Sequence, residues 1–390
     1  MHDVVIVGAG PVGSYTACQL ASMGHDVLVL ERRPTIGEKT CCTGIIGQEC
    51  ARTFAIRDVI LKVVNSARLF SPSGKLTRIQ REEPQAAILD RTALDRAMAH
   101  KAQDKGAEYI LEAPVSKITI EEDRVRVEES GQGRSFAARA VIIASGFGSK
   151  LTGQLGLGSI NDSVAGTQAE VETAGNDEVE IYLGNEIAPG FFAWLVPTSP
   201  QRARVGLLSR HSPEAHLRKL LASLAADGKI VSAEVKPSYG AIPLKTLPRT
   251  SGERLMVLGD AAGQVKPTTG GGIYYGLLCA DIAAEAMHPA LKDDDLSARR
   301  MAGYEKKWRR KLSRELKIGY QTRKIFESLT DRQIERIFAL EKKHGIVNEL
   351  LKSSDLSFDW HSKAVFGLIS HRIIARAINV MRLPFRNDMD

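Results

Sequence analysis

The stretch Asp3-Val-Val-Ile-Val-Gly8-Ala-Gly10-Pro-Val-Gly13 decides the fold. Its continuous apolar run predicts a strand buried on both faces, and the glycines after it predict a tight turn leading into a helix over 12–23. A second apolar run at 26–31 ends in Glu31 and completes a β-α-β unit. Glycines at this spacing are weak evidence alone, but in this strand, turn and helix context they predict a dinucleotide site.

Each residue type in this motif has a physical role in dinucleotide binding. Gly8 permits the tight turn, Gly10 lets the backbone approach the pyrophosphate, and Gly13 lets helix and strand pack closely. The helix N-terminus offers amide donors and partial positive charge to the phosphates. Glu31 can accept hydrogen bonds from ribose hydroxyls. The alternative is a tight turn that binds no nucleotide.

A second glycine-rich segment lies far along the chain. Arg254-Leu-Met-Val-Leu-Gly259-Asp260 predicts a strand ending in Gly-Asp, and Gly270-Gly271-Gly272-Ile273 opens a long helix running to about Met287. FAD spans its domain and needs a second loop of this kind, so the pair of segments favours FAD over NAD. Asp260 can accept from ribitol hydroxyls, and the helix entrance can stabilise negative charge on reduced flavin. The alternative is a helix start that only needs positive φ.

Composition and length bound the remaining possibilities. A chain of 390 residues with 43% hydrophobic and 25% charged residues is typical of a globular protein with two or three subdomains around one ligand. Its five cysteines fit a reducing compartment, and no pair has zinc-site spacing, so we expect no metal. The first strand pattern starts at Asp3, leaving no room for a secretory signal. We expect a cytoplasmic protein.

Hydrophobic periodicity divides the chain into three regions. An apolar strand at 86–90 and a helix over 92–105 continue the α/β pattern, whereas short alternating runs over 163–240 predict antiparallel strands, with one helix near 213–226. Beyond Asp293 the pattern is helical. We predict an α/β fold: a Rossmann-type FAD-binding domain (1–60, 86–155 and 241–297), a mainly antiparallel β substrate domain (61–85 and 156–240) and a helical C-terminal region (298–390).

The net charge of +7 is concentrated in one stretch, 299–324, which holds eleven lysines and arginines. An anionic partner fits this charge, as does a solvated helix face. Further on, an apolar stripe is bordered by arginines, a pattern that fits either the protein's own core or a membrane surface. An anionic surface on the inner face of the membrane is therefore a candidate partner. We expect no binding to nucleic acid. The stripe consists of Phe366, Ile369, Ile373, Ala377 and Val380, with Arg372, Arg376 and Arg382.

The two glycine-rich segments and two further motifs resemble the geranylgeranyl reductase family, whose members include the digeranylgeranylglycerophospholipid reductases. This FAD-dependent family is related to the p-hydroxybenzoate hydroxylase group, and the resemblance covers roughly residues 1–300. The further motifs are Lys39-Thr-Cys41-Cys42-Thr-Gly44 and Phe192-Ala-Trp194-Leu-Val-Pro197. The resemblance implies hydrogenation of prenyl double bonds by hydride from reduced flavin.

The resemblance also implies roles for particular residues. Cys42 matches a family position near the flavin, where it would donate a proton or form a gate; the alternative is a small apolar filler. Arg91 matches an arginine that contacts FAD in the wider group. The family's aromatic segment reads Tyr-x-Trp-x-Phe-Pro, and here Phe192 and Val196 replace the tyrosine and phenylalanine. An apolar wall is kept but a hydroxyl is lost.

One departure separates the chain from the aromatic hydroxylases. Those enzymes carry Gly-Ala-Asp-Gly after the corresponding strand, whereas this chain has Ile143-Ala-Ser145-Gly146-Phe-Gly-Ser149. The missing acid weakens a monooxygenase or halogenase interpretation. A non-enzymatic prenyl-binding protein remains a further alternative, which the intact glycine motifs disfavour.

We therefore predict an FAD-dependent reductase acting on CH-CH groups of a prenyl lipid, with an electron donor such as ferredoxin or NADPH. Cys42 is the predicted catalytic residue. The predicted substrate residues are Phe192, Trp194, Pro197 and Tyr239. The predicted cofactor-binding residues are Gly8, Gly10, Pro11, Gly13, Glu31, Arg32, Cys42, Thr43, Gly44, Arg91, Gly146, Asp260, Pro267, Gly270, Gly271, Gly272 and Ile273.

Overall fold

The computed structural model describes residues 1–38, 41–345 and 357–362. Lys39 and Thr40 of the cysteine motif lie outside the described residues, as does the whole predicted stripe from Phe366 to Val380 with its arginines. In chain order the described strands are β1 (His2–Val7), β2 (Val27–Leu30), β3 (Ile45–Gly47), β4 (Ile60–Val64), β5 (Ser66–Phe70), β6 (Leu76–Gln80), β7 (Ala86–Leu89), β8 (Glu108–Ile110), β9 (Val115–Ile120), β10 (Val125–Glu129), β11 (Ser135–Ile143), β12 (Ser163–Glu172), β13 (Val179–Leu183), β14 (Phe192–Ser199), β15 (Arg202–Ser209), β16 (Ser238–Pro243), β17 (Ser251–Gly252) and β18 (Leu255–Val257).

The helices alternate with these strands in the first half of the chain and dominate after residue 273. They are α1 (Pro11–Ser22), α2 (Gln48–Thr53), α3 (Arg91–Asp104), α4 (Leu151–Gln154), α5 (Pro213–Ala226), α6 (Ile273–Lys292), α7 (Ala298–Glu327) and α8 (Asp331–His344), with a 3₁₀ turn at Gly259–Ala262. The helix predicted over 12–23 is α1, and the helix predicted to run to about Met287 is α6, which continues to Lys292.

The chain forms two compact units, each built from three segments. The first comprises Met1–Thr40, Asp90–Ser163 and Ala241–Leu316, and its sheet has the order β17-β18-β11-β1-β2-β8. Strands β18, β11, β1, β2 and β8 run parallel, and β9 and β10 form an antiparallel extension beside β11. Parallel strands end at one edge of a sheet, so the segments after β1, β2, β11 and β18 emerge together.

The second unit comprises Cys41–Leu89, Val164–Gly240 and Lys317–Asp390. Its main sheet has the order β16-β12-β15-β14-β13-β5-β6 and is antiparallel between β12, β15, β14 and β13, with one parallel pair at β13 and β5. Helix α5 buries Leu217, Leu220, Leu221 and Leu224 against one face of this sheet. The Rossmann-type α/β fold class with a mainly antiparallel second part is confirmed.

The boundaries of the units differ from the predicted domain limits. The prediction divided 41–89 at residues 60 and 86, whereas the whole stretch belongs to the second unit. The physical reason is that β7 pairs with both β3 and β4 in one three-stranded sheet. The predicted helical C-terminal region begins with α7, which contributes its first part to one unit and its last part to the other.

Candidate functional site

The glycine turn after β1 has the geometry that a dinucleotide site requires. Gly8 has φ +109°, and a Cβ there would lie 2.5 Å from the carbonyl oxygen of Ala144. A Cβ on Gly13 would lie 2.0 Å from the carbonyl oxygen of Gly8. Gly10, by contrast, faces open space, with nothing within 4 Å of its would-be Cβ. Two glycines are therefore required by packing, and the third leaves room for a ligand against the backbone.

Pro11 and Glu31 complete this turn. Pro11 occupies the first turn of α1, where its missing N–H costs nothing. The Glu31 carboxylate accepts hydrogen bonds from the backbone amides of Ala9 at 2.9 Å and Arg33 at 3.0 Å. From the sequence we predicted that this carboxylate binds ribose hydroxyls. In the structure it also binds the glycine turn, through the amide of Ala9. Arg32, beside it, is exposed.

The segment after the neighbouring strand β11 borders the same edge of the sheet. Gly146 has φ +74°, and nothing lies within 4 Å of its would-be Cβ. The buried Oγ of Ser145 has no hydrogen-bond partner among the described residues. A buried hydroxyl in this state indicates a polar group that belongs against it.

The Gly-Asp turn after β18 places Asp260 in the same unit as Arg91. Asp260 lies on the 3₁₀ turn, and burial raises the pKa of its carboxyl group, an effect that the positive charge of Arg91 opposes. Arg91 begins α3, which Asp90 caps by accepting a hydrogen bond from Ala93, and both terminal nitrogens of Arg91 bond to the Asp95 carboxylate. The structure thus brings together two predicted residues 169 positions apart.

A buried network that the sequence did not reveal supports this turn. Gln264 accepts a hydrogen bond of 2.8 Å from the amide of Gly259 and donates one of 2.8 Å to the hydroxyl of Tyr304. Tyr304 in turn donates to the carbonyl of Val257 at 2.8 Å, and neither Gln264 nor Tyr304 is exposed. An isolated glutamine and tyrosine carry no sequence signal that links them.

The glycines that open α6 are tightly confined. A Cβ on Gly270 would lie 2.6 Å from Ile242, one on Gly271 would lie 2.9 Å from Cε of Lys266, and one on Gly272 would lie 2.6 Å from Oδ1 of Asp260. Pro267 is buried and Ile273 is the first residue of α6. Lys266, which the sequence did not single out, places its buried side chain at this helix entrance.

The described part of the cysteine motif, from Cys41 to Gly44, lies in the second unit, where two side chains hold its backbone. Gln168 donates to the Cys42 carbonyl at 3.3 Å and accepts from the Thr43 hydroxyl at 3.1 Å. Arg204 donates to the Thr43 carbonyl at 2.8 Å and to the Leu89 carbonyl at 2.9 Å. Gly44 has φ +75°. Neither Gln168 nor Arg204 was predicted.

Cys41 and Cys42 have different surroundings within this unit. A Cβ on Gly240 would lie 3.5 Å from that of Cys41, and burial raises the pKa of the Cys41 thiol despite a hydrogen bond with Ser238. Cys41 therefore packs toward β16 as a neutral thiol. Cys42 is partly exposed.

The predicted substrate residues fall into different environments. The ring centroids of Phe192 and Trp194 are 6.0 Å apart on β14, and the buried Nε1 of Trp194 has no hydrogen-bond partner in the described chain. Pro197 is buried opposite Ala203, which belongs to the core under α5. Tyr239 is 53% exposed. Phe192 and Trp194 are thus brought together, whereas Pro197 lies on the opposite face of β14 and Tyr239 is exposed on β16.

Comparisons with known proteins agree with this geometry. The family model described as "Lycopene cyclase protein" matches residues 3–344. "Digeranylgeranylglycerophospholipid reductase 2" of Methanopyrus kandleri is 32% identical over 355 residues, covering 86% of this chain and 89% of the relative. A geranylgeranyl bacteriochlorophyll reductase-like protein of Thermoplasma acidophilum has a TM-score of 0.83 at 23% identity, with 98% of each chain covered. A halogenase solved in complex with FAD has a TM-score of 0.68 at 17% identity, covering 90% of this chain and 82% of the halogenase.

The parallel sheet and the glycine turns define the class of the protein: it is a Rossmann-type flavoprotein. The chain belongs to the family that the matched model describes and, more narrowly, to the digeranylgeranylglycerophospholipid reductase family. The resemblance predicted from the sequence is confirmed. Among the described helices, none combines the length and apolarity needed to cross a bilayer.

Proposed function

We propose that this chain is an FAD-dependent reductase that hydrogenates the isoprenoid double bonds of a geranylgeranyl lipid of the archaeal phospholipid type. The observation that carries this proposal is the 32% identity to a digeranylgeranylglycerophospholipid reductase over 86% of the chain. It is supported by a glycine turn in which packing requires Gly8 and Gly13, while Gly10 borders open space where a pyrophosphate would lie. FAD fits this unit, because open space borders Gly10 and Gly146. The buried Ser145 hydroxyl, which has no hydrogen-bond partner among the described residues, could also bond to the cofactor.

The first unit's residues would hold the cofactor at two places. The N-terminus of α1 and the Gly10 backbone would bind the pyrophosphate, with Glu31 on the ribose. Asp260 and the glycines before α6 would bind the ribitol and flavin. Bound FAD in its reduced form supplies the hydride equivalent for an alkene carbon.

The second unit supplies the proton and the apolar surface in this proposal. Hydrogenation adds a hydride to one alkene carbon and a proton to the other, and we assign the proton to the Cys42 thiol, which is then reprotonated from solvent. Phe192 and Trp194 would contact the prenyl chain. At about 0.8 kcal/mol per buried methylene, such a chain offers on the order of 10 kcal/mol of binding energy without any polar contact.

The test is an anaerobic incubation of the purified, FAD-loaded and reduced protein with geranylgeranyl lipids. Mass analysis should show pairs of added hydrogens.

The name of the matched family offers a second candidate, cyclisation of a polyene, which rearranges bonds and leaves the mass unchanged. Oxygen consumption with a hydroxylated product would instead favour the monooxygenase alternative. The same assay with ferredoxin or NADPH as reductant would identify the electron donor.

We also propose that α7 contacts an anionic membrane surface. Its buried residues Met301, Tyr304, Trp308 and Leu312 form one face, and the opposite face exposes only basic residues over 306–314 apart from Ser313. The exposed basic residues are Lys306, Lys307, Arg310, Lys311 and Arg314. Positions three and four apart share a helix face, so these charges lie together on the exposed side of α7. A basic patch of this kind gains about 1 kcal/mol per lysine or arginine near an anionic lipid surface.

Sedimentation with liposomes tests this contact. The double variant Lys306→Glu/Arg310→Glu should lose binding to phosphatidylglycerol vesicles, whereas Lys101→Glu/Lys105→Glu, which reverses exposed charges in the last turn and at the C-cap of α3, should retain it. Equal binding of both variants, or no binding of the wild-type protein at low salt, would contradict the proposal.

A further inference from the structure

We propose that Gln168 and Arg204 are positioning residues that clamp the Cys42–Thr43 backbone and so fix the Cys42 thiol for proton donation. The inference rests on the proposed function, in which Cys42 supplies the proton. The clamp consists of side chains from two neighbouring strands, β12 and β15, that bind main-chain carbonyls of the loop.

Gln168 can bind the loop in one amide orientation only. Its Nε2 donates to the Cys42 carbonyl and its Oε1 accepts from the Thr43 hydroxyl. A flipped amide would place Oε1 against the Cys42 carbonyl, and two acceptors repel each other. Gln168 is 5% exposed, so bulk water has little access to replace these hydrogen bonds. The loop and Gln168 therefore specify each other's position.

Arg204, on the neighbouring strand β15, binds the next residue of the loop. One nitrogen, Nη1, donates to the carbonyls of both Thr43 and Leu89. The amide of Leu89 donates in turn to the Gly44 carbonyl at 2.8 Å, which closes a ring of hydrogen bonds around the loop. The segment carrying Cys42 is thereby tied to β7.

Burying an arginine at this position costs desolvation free energy, which its hydrogen bonds must offset. Arg204 is 7% exposed, and its Nε lies 3.4 Å from the carboxylate of Glu170, whose side chain is 64% exposed. Removing a guanidinium from water carries a desolvation cost that an apolar residue would avoid. An apolar residue of similar volume, however, could not bind two carbonyls. The two bonds to main-chain carbonyls therefore support a positioning role for this cation.

The clamp lies on the same sheet face as Trp194. Gln168 and Trp194 are both register partners of Gly206, and opposite residues of an antiparallel pair point to one face. Arg204 lies two residues before Gly206 and shares this face. A Cβ on Gly206 would lie 2.6 Å from Cζ2 of Trp194, so the indole covers the glycine. The fixed loop thus adjoins the aromatic surface proposed for the prenyl chain.

The first experiment measures loop order without requiring reductase activity. In a Cys41→Ser background, the rate of Cys42 alkylation by iodoacetamide is followed by peptide mass analysis. Thr43→Val and Gln168→Leu should raise this rate about threefold to tenfold, the scale of one lost hydrogen bond in a local opening equilibrium. Thr43→Ser, which keeps the hydroxyl, should retain the original rate. Thr198→Val, a hydroxyl loss elsewhere in the same unit, is the matched control.

The second experiment separates positioning from folding. In FAD-loaded Gln168→Leu, Gln168→Glu and Arg204→Met, kcat should fall about tenfold to a hundredfold, because a misplacement near 1 Å has that effect, while KM for the lipid and FAD affinity stay unchanged. Arg202→Met, which removes an exposed arginine of β15, should behave as wild type.

The outcomes distinguish the clamp from the function. Unchanged alkylation in Thr43→Val and Gln168→Leu would overturn the clamp, whatever the protein reduces. Faster alkylation with unchanged kcat would overturn the positioning role. If the wild-type protein reduces no prenyl lipid, the proposed function fails, and alkylation alone still decides whether these side chains hold the loop.

Discussion

The Glu31 carboxylate lies 2.9 Å from the backbone amide of Ala9, which is inside the glycine turn that precedes it by one helix. The acid at the end of β2 thus shapes the pyrophosphate turn as well as presenting oxygen atoms for a ribose. Charge-assisted hydrogen bonds to backbone amides are among the stronger ones in proteins.

Replacement of Glu31 by alanine is therefore expected to weaken FAD binding. Loss of about 1.5–3 kcal/mol, typical of a hydrogen bond to a charged group, raises Kd roughly tenfold to a hundredfold. Flavin fluorescence titration of the apoprotein measures the change. Glu108→Ala, an exposed acid on the neighbouring strand β8, serves as the control. An unaltered Kd for Glu31→Ala would show that the carboxylate has neither role.

Alanine at Gly10 and at Gly13 should give opposite phenotypes. Gly10 has φ −70° and faces open space, so Gly10→Ala should fold normally but obstruct the pyrophosphate and reduce FAD affinity. Gly13→Ala would overlap the Gly8 carbonyl and should destabilise the apoprotein by about 1–3 kcal/mol or more. Urea unfolding and flavin titration on both variants make the comparison. Equal loss of stability in the two would contradict the assignment of open space to Gly10.

Tyr304→Phe removes one hydroxyl from the network behind the Gly-Asp turn. The Val257 carbonyl loses its donor from Tyr304, and the Gln264 amide loses its acceptor, in a fully buried setting. The expected cost is about 1–3 kcal/mol of unfolding free energy. Urea unfolding should show no comparable loss for Tyr239→Phe, whose side chain is exposed. A neutral result for Tyr304→Phe would mean that water replaces the hydroxyl.

The stability of the second unit should depend on pH through Glu335 on α8. A hydrogen bond from Lys75, followed by bonds from the Ser71 and Ser73 region, lowers the pKa of Glu335 to about 2 from its ordinary 4.5. A lowered folded-state pKa contributes stability that is complete above 4.5 and is lost as the pH falls from 4.5 toward 2. Because Lys75 is largely exposed, solvent screening reduces the contribution to about 1 kcal/mol.

Glu335→Gln should remove this acid-dependent component. The difference in unfolding free energy between about pH 6 and pH 3 should shrink by about 1 kcal/mol relative to wild type. Glu234→Gln, an exposed acid in the same unit, should leave the difference as it was. An acid limb that is identical in all three proteins would exclude Glu335 as its source.

Features fixed by local sequence were predictable. The turn at Gly8 to Gly13 follows from residues within one β-α-β unit, and the long helix after Gly272 follows from its glycines and apolar content. The Rossmann-type fold class rests on such local patterns. The two glycine-rich segments also favoured FAD, whereas the activity came from the family resemblance, since no single side chain specifies hydrogenation of an alkene.

Features that depend on distant partners were not predictable from patterns. Gln168 and Arg204 meet the cysteine loop across 126 and 161 residues, and a lone glutamine or arginine on a strand looks like any other. The division into compact units depends on contacts of a similar kind. Strand β3 has only three residues, and its pairing with β7 is invisible to hydrophobic periodicity. Short pairings between remote segments decide where one unit stops.

The threefold interleaving of the two units has a consequence for synthesis. The first unit's last segment ends at Leu316, so β1 and the glycine turn leave the ribosome long before the neighbouring strand β11, and before β18, which pairs with β11. During synthesis, the edge of β1 that pairs with β11 therefore stays exposed until β11 has been made. Fragments cut near residue 240 would carry the complete glycine motif yet lack β18. We would therefore not expect the recognisable motif, expressed by itself, to be a folding module.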